Sequence, residues 1–190
     1  MLNLAVRNLK IFFRDKASVF FSFLSVIIII GLYVLFLGDV ITAGMDEMPG
    51  VRFLMDSWIA SGLMAVTSIT STMGAFGIMV EDRARKNSRD FLTAPLKRST
   101  IAGGYVVSTY LIGVIISLVT LVLIEVYIVA YGGSILPFSS LLKVVGLILL
   151  SVLSSSAMVF FITSFFKSMN AFSTASTVLG TLIGFLTGIC

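Results

Sequence analysis

The chain has 190 residues, 58% of them hydrophobic and only 12% charged, with a mean hydropathy of +1.11. Soluble domains carry about 25% charged residues, so this composition excludes an ordinary water-surrounded globule and makes a bilayer the fitting solvent. With no histidine and a single cysteine, Cys190, the chain cannot form an intrachain disulfide, and a thiolate or imidazole metal site has only that one terminal ligand to draw on.

A bilayer core about 30 Å thick takes about 20 apolar helical residues per crossing. Five such runs predict an all-α, polytopic membrane protein forming a single transmembrane domain over residues 1–190. The runs are continuously apolar and lack the period-two alternation of a membrane barrel, which excludes strands. Ahead of them, residues 2–16 predict an interfacial amphipathic helix. At about 100° per residue, Asn3, Arg7, Lys10 and Arg14 share one stripe and Leu2, Ala5, Val6, Leu9, Phe12 and Phe13 lie opposite. Such a helix lies at the membrane surface with cations toward phosphates and apolar side chains toward acyl chains. It either anchors the first crossing or also meets a partner.

The first crossing is predicted over residues 20–37. It is longer than the apolar stretch of a signal peptide and no cleavage pattern follows, so it is read as retained. The second covers 58–80 and carries Thr67, Ser68, Thr70, Ser71, Thr72 and Gly74. Of these, Thr67, Ser68 and Ser71 are candidates to line a translocation path; hydroxyls in a helix can equally bond back to their own backbone. The loop 81–99 is densely charged yet holds Phe91, Leu92 and Leu96. Ser88 can cap a short helix, Pro95 ends it, and Ser99 or Thr100 can cap the next crossing. Apolar groups in so charged a setting need a membrane interface or a partner to cover them; the alternative is a loop that only sets topology.

The third crossing is predicted over 104–130. Glu125 is the one ionisable residue inside an apolar run and so a functional candidate, although at about 30 Å from Gly104 it reads more readily as a water-exposed carboxylate at the membrane edge. A turn with Gly132, Gly133 and Pro137 leads to the fourth crossing, 144–166, and the fifth follows over 171–190. In the fifth, Ser176, Gly180, Gly184 and Gly188 recur every four residues, a close-packing face either within the subunit or at a dimer seam.

Eleven of the 13 Lys and Arg residues fall in the N-terminal segment, the 81–99 loop and the turn at Lys167; only Arg52 and Lys143 lie on the other side. Short cytoplasmic loops are enriched in such cations, which predicts a cytoplasmic N-terminus in the plasma membrane. The net charge of +4 is therefore a topology signal, with no nucleic-acid partner implied.

From Asp82 through Phe91-Leu92-Thr93-Ala94-Pro95-Leu96-Lys97-Arg98 to Ile101 and Gly104, the chain resembles the signature of permeases in the type-2 ABC exporter family. The opening Arg7-Asn8-Leu9-Lys10 with Phe13-Arg14-Asp15 resembles that family's entry helix. The sequence departs from the pattern at Lys86-Asn87, where a Gly-Thr pair is common, and at Arg89, where an acidic residue is common. Family members usually have six crossings, so the resemblance implies a chain that stops before its last helix. It also implies that the short loop helix couples to a separate ABC ATPase subunit, with Phe91, Leu92, Pro95 and Leu96 in contact and Asp82, Arg89, Asp90 and Arg98 as polar supports.

ATP and magnesium would be held by that subunit, and a second permease copy, identical or related, would complete the transporter. This chain would bind no cofactor of its own. Independently, it lacks any Gly-Lys pair and so any G-x-x-x-x-G-K-[ST] phosphate loop, and it presents no catalytic motif. The leading expectation is the permease subunit of an ATP-driven exporter. The alternatives are an ATP-independent protein such as an ion-coupled secondary carrier, for which Glu125 is the only candidate buried carboxylate, and a structural membrane anchor.

Overall fold

The computed structural model describes residues 2–32, 51–85, 98–130 and 135–187. Among these residues six helices follow in order: α1 (Leu2–Arg14), α2 (Lys16–Leu32), α3 (Val51–Ala84), α4 (Arg98–Ala130), α5 (Phe138–Ser164) and α6 (Met169–Leu186). No strand occurs among the described residues, and the protein is an all-α polytopic membrane protein. Four helices there are long and apolar enough to span a bilayer: Ser57–Ala84, Ser99–Ala130, Phe138–Ser164 and Met169–Leu186. The helix α2 covers the first part of the predicted 20–37 crossing, and the remainder of that run lies outside the described residues.

Several boundaries differ from the sequence expectation, for local reasons. The predicted 2–16 helix ends at Arg14 and α2 begins at Lys16. Between them Asp15 takes the N-cap position, where its residue type is favoured, and its carbonyl accepts from the Val19 amide at 3.2 Å. The helix α3 runs past 80 because Glu81 and Arg85 pair one turn apart at 2.7 Å, an arrangement that supports a helix end. In α4 the helix is already formed at Arg98, so Ser99 and Thr100 lie inside it rather than at its cap.

Pro137 caps α5 with φ −60° and ψ 147°. Its carbonyl accepts from the amides of Ser140 at 2.8 Å and Leu141 at 3.0 Å, so α5 starts at Phe138 and absorbs Lys143, the charge taken as a boundary. Charged residues mark where a helix leaves hydrocarbon, not where it stops.

The central helix is α3, touching α4, α5 and α6. Of its most apolar stretch 61% is buried by the rest of the chain, against 6% for α6. The main core gathers Phe12 of α1, Met73, Phe76 and Met79 of α3, Tyr105, Ile112 and Ile116 of α4, and Val159 of α5. A second cluster, Val26, Leu63, Ile124 and Ile128, joins α2, α3 and α4.

The close approach that holds α3, α4 and α5 together is at Gly113. A Cβ there would stand 2.6 Å from Val152 Cγ1 and 3.1 Å from Thr72 Cγ2, so only hydrogen fits. The predicted Gly180 and Gly184 face is different, because among the described residues nothing lies within 4 Å of a Cβ at either position. Among the described residues α6 meets α3 from another side, with Phe172 and Met169 against Gly77. Gly188 lies outside the described residues.

Gly113→Ala should therefore cost about 1–3 kcal/mol, as overpacking of a filled core does, and lower the melting midpoint in detergent. Gly184→Ala should leave this midpoint within the scatter of repeat measurements. An unchanged midpoint for Gly113→Ala would remove the three-helix contact from the account.

Candidate functional site

The sequence places an acidic residue at the end of an apolar helix, and the fold buries it. Asp82, near the end of α3, is only 5% exposed. A buried carboxylate is tolerated when its charge is paired and its oxygens are hydrogen-bonded, and both conditions are met. The Arg7 guanidinium of α1 donates through Nη1 to Asp82 Oδ2 at 2.9 Å and through Nη2 to Oδ1 at 3.1 Å, the two-pronged geometry that makes arginine–carboxylate pairs strong. The Tyr105 hydroxyl of α4 donates to Oδ2 at 2.6 Å. This bonding to Asp82 raises the Arg7 pKa above its already high ordinary value, against the opposing pull of partial burial, so the guanidinium remains charged.

Around this centre α1 is seated on α4 by shape and by polar contacts. Leu4 lies over Gly104, where an added Cβ would come within 2.7 Å of Leu4 Cδ2. One turn on, Asn8 Nδ2 donates to Ser108 Oγ at 3.2 Å, and Ser108 Oγ donates to the Tyr105 carbonyl at 2.9 Å. A further turn on, Phe12 is buried in the main core. Leu4, Asn8 and Phe12 recur every four residues, so they form one stripe of α1.

The same end of the bundle carries a second cation contact. Arg83 Nη1 donates to the carbonyls of Thr163 at 3.4 Å and Ser164 at 3.5 Å at the end of α5, where the Thr163 carbonyl also accepts from the Phe166 amide at 3.2 Å.

The residues assigned to ATPase contact divide as follows. Arg89, Asp90, Phe91, Leu92, Pro95 and Leu96 lie outside the described residues, and Arg98 opens α4. Asp82 does not present itself at the surface; it faces inward to Arg7 and Tyr105. Arg7 in turn is not aimed only at lipid phosphates, as the amphipathic pattern implied. The rest of that pattern survives on the outer side of α1: Leu2, Val6 and Phe13 are exposed beside exposed Lys10 and Arg14.

Asn8, Tyr105 and Ser108 were missed by the sequence reading. A signal existed in Asn8, a polar residue on the Leu4–Phe12 stripe, and in Asp82 itself, whose burial would demand a cation.

At the opposite end of the bundle a cavity of about 320 Å³ lies between α3, α4 and α5. It brings together two of the four candidate pathway residues, Ser68 and Glu125. Thr67 and Ser71 are buried but do not line it. Ser68, Thr70, Ser71 and Thr72 all bond back to carbonyls of their own helix, as hydroxyls in apolar helices do. Glu125 is half-buried rather than free in water, and its Oε2 accepts from the Leu136 amide at 3.4 Å. Among the described residues no group of three or more potential metal ligands forms.

Long apolar helices around a buried ionic clamp define an integral, multi-pass membrane protein. The ABC-2 type transporter family model matches residues 1–190, and the chain belongs to that family. It is thus a membrane component of a transport system, a permease, and not itself the catalytic part. Comparison with curated proteins and with solved structures gives no match.

Asp82→Asn should cost about 1–3 kcal/mol, the worth of hydrogen bonds to a charged group, kept from being larger by an Arg7 side chain that is 35% exposed. Tyr105→Phe should cost about 1 kcal/mol. In the Asp82→Asn background, Arg7→Met should add little, because coupled residues are not additive. Strictly additive losses in melting experiments would show that the two side chains act separately.

Proposed function

We propose that the chain is the transmembrane subunit of an ATP-driven exporter, with its N-terminus and the 81–99 loop in the cytoplasm and the bundle in the plasma membrane. In this reading a separate ABC ATPase subunit holds ATP and magnesium and receives Phe91, Leu92, Pro95 and Leu96, with Arg89, Asp90 and Arg98 beside them. The observation that carries the reading is the clamp. The loop leaves α3 just after Asp82 and enters α4 just before Tyr105, and the two residues are bonded to each other and to α1.

A displacement of the loop is therefore a displacement of α1, α3 and α4 together, the rigid-body type of switching motion. ATP would act by favouring the arrangement its subunits bind best.

Family membership favours this reading over an ion-coupled carrier. A second permease copy would complete the translocation path, and the open Gly180 and Gly184 face of α6 suits close approach of another helix.

Two experiments bear on this. Phe91→Asp would place a charge in an apolar contact and should abolish co-purification of the ATPase subunit while the chain still inserts; equal recovery of the ATPase with both proteins would reduce the loop to a topology signal. With Cys190 replaced by serine, single cysteines at Ala84 and Gly44 should label from the cytoplasmic and external sides respectively. Reversed labelling would overturn the orientation.

A further inference from the structure

The cavity between α3, α4 and α5 has an unusual lining. Its walls are apolar, with Met64, Leu121, Ile124 and Leu147 among them, and its one charged group among the described residues is Glu125. No Lys or Arg lines it, and Glu125 makes no ion pair among the described residues. The serine hydroxyls deepen the bias. Ser61 donates its proton to the Trp58 carbonyl at 2.7 Å and Ser68 to the Met64 carbonyl at 2.9 Å. With those protons engaged, these two residues offer the cavity oxygen lone pairs, and Ser57 and Ser151 are the further hydroxyls of the lining.

Glu125 is half-buried against apolar walls, and the hydrogen bond it receives among the described residues, from the Leu136 amide at 3.4 Å, leaves acceptor capacity for a ligand. A cation with N–H donors restores what desolvation removes, whereas an anion would meet like charge. At about 320 Å³ the space falls at the lower end of the range for pockets that enclose drug-sized molecules, which typically combine an apolar lining with a few placed polar groups.

We propose that this cavity is a binding site for a monocationic amphiphile: a protonated amine paired with Glu125 and carried on an apolar, ring-sized body seated against Leu121, Ile124 and Leu147. The lining residues named here all belong to one copy of the chain. Binding requires no nucleotide and no ATPase subunit, so it stands or falls separately from the exporter reading.

The experiment uses the full chain in lipid nanodiscs and radiolabelled imipramine, a tertiary amine protonated at pH 7 with a tricyclic body. Empty nanodiscs measure partition into lipid. Wild type should show saturable binding above that background. Iminodibenzyl, the same tricycle without the basic side-chain amine, should compete at least tenfold more weakly than unlabelled imipramine, and anilinonaphthalene sulfonate, an anion, should not compete.

Glu125→Gln should weaken binding at least tenfold with an unchanged melting midpoint, while Glu125→Asp keeps it within about threefold. Ser151→Phe fills the cavity without touching the carboxylate and should abolish binding, which keeps the test decisive if Glu125→Gln folds poorly. Binding no greater than to empty nanodiscs, equal competition by iminodibenzyl, or full binding by Ser151→Phe would each overturn the proposal.

Discussion

A carboxylate cannot sit bare inside a helix bundle, and the arrangement at one end of this protein follows from satisfying that requirement. Asp82 is held by Arg7 from one side and by Tyr105 from another. To bring Arg7 within reach, α1 must lie against α4 closely enough for Leu4 to occupy the space left by the missing side chain of Gly104. The buried Asn8 then needs a partner of its own and finds Ser108. Removing the charge from Asp82 would leave Arg7 without its main ionic partner and α1 seated by shape and by the Asn8–Ser108 bond. The clamp gives one register to three elements that an apolar surface would hold in several, since hydrophobic contact is not directional.

Farther along the bundle the helices are held by fit. Gly113 admits Val152 and Thr72 to near contact, and the core around Phe76, Ile112 and Ile116 is filled by large side chains. Beyond this packed middle the helices enclose the cavity beside Glu125. The two carboxylates thus have opposite surroundings: Asp82 is saturated by a cation and a hydroxyl, whereas Glu125 faces apolar walls with one long amide contact. In the proposed permease the first would keep the ATPase-facing end in register, and the second would give the far end a preference for positive charge.

The helical, membrane-spanning character was legible because a continuous apolar run such as 104–130 has few other solutions in lipid. Helix ends were less legible. Lys143 and Glu81 were taken as boundaries, although a helix keeps its backbone bonds after it leaves hydrocarbon. The amphipathic pattern of α1 was read correctly as a pattern, but a helical wheel does not distinguish lipid from protein as the cover of an apolar face, so Ala5 and Phe12 were assigned to acyl chains and proved to be core. The repeated small residues of α6 gave a spacing without a partner, whereas the glycines that do admit neighbours, Gly104 and Gly113, belong to no such repeat. Of the candidate pathway residues, Ser68 and Glu125 converge on one cavity. Their meeting depends on how α3 and α4 pack, which no single helix pattern contains.

The central claim is that Asp82 fixes α1 to the start of α4. Spin labels at Lys10 and Ser99, both exposed, introduced in a Cys190→Ser background, report that separation directly by double electron–electron resonance in lipid nanodiscs. The account predicts one narrow distance distribution for the protein with Asp82 intact and a broadened one for Asp82→Asn. A broad distribution with Asp82 intact, or equally narrow distributions for both proteins, would contradict it.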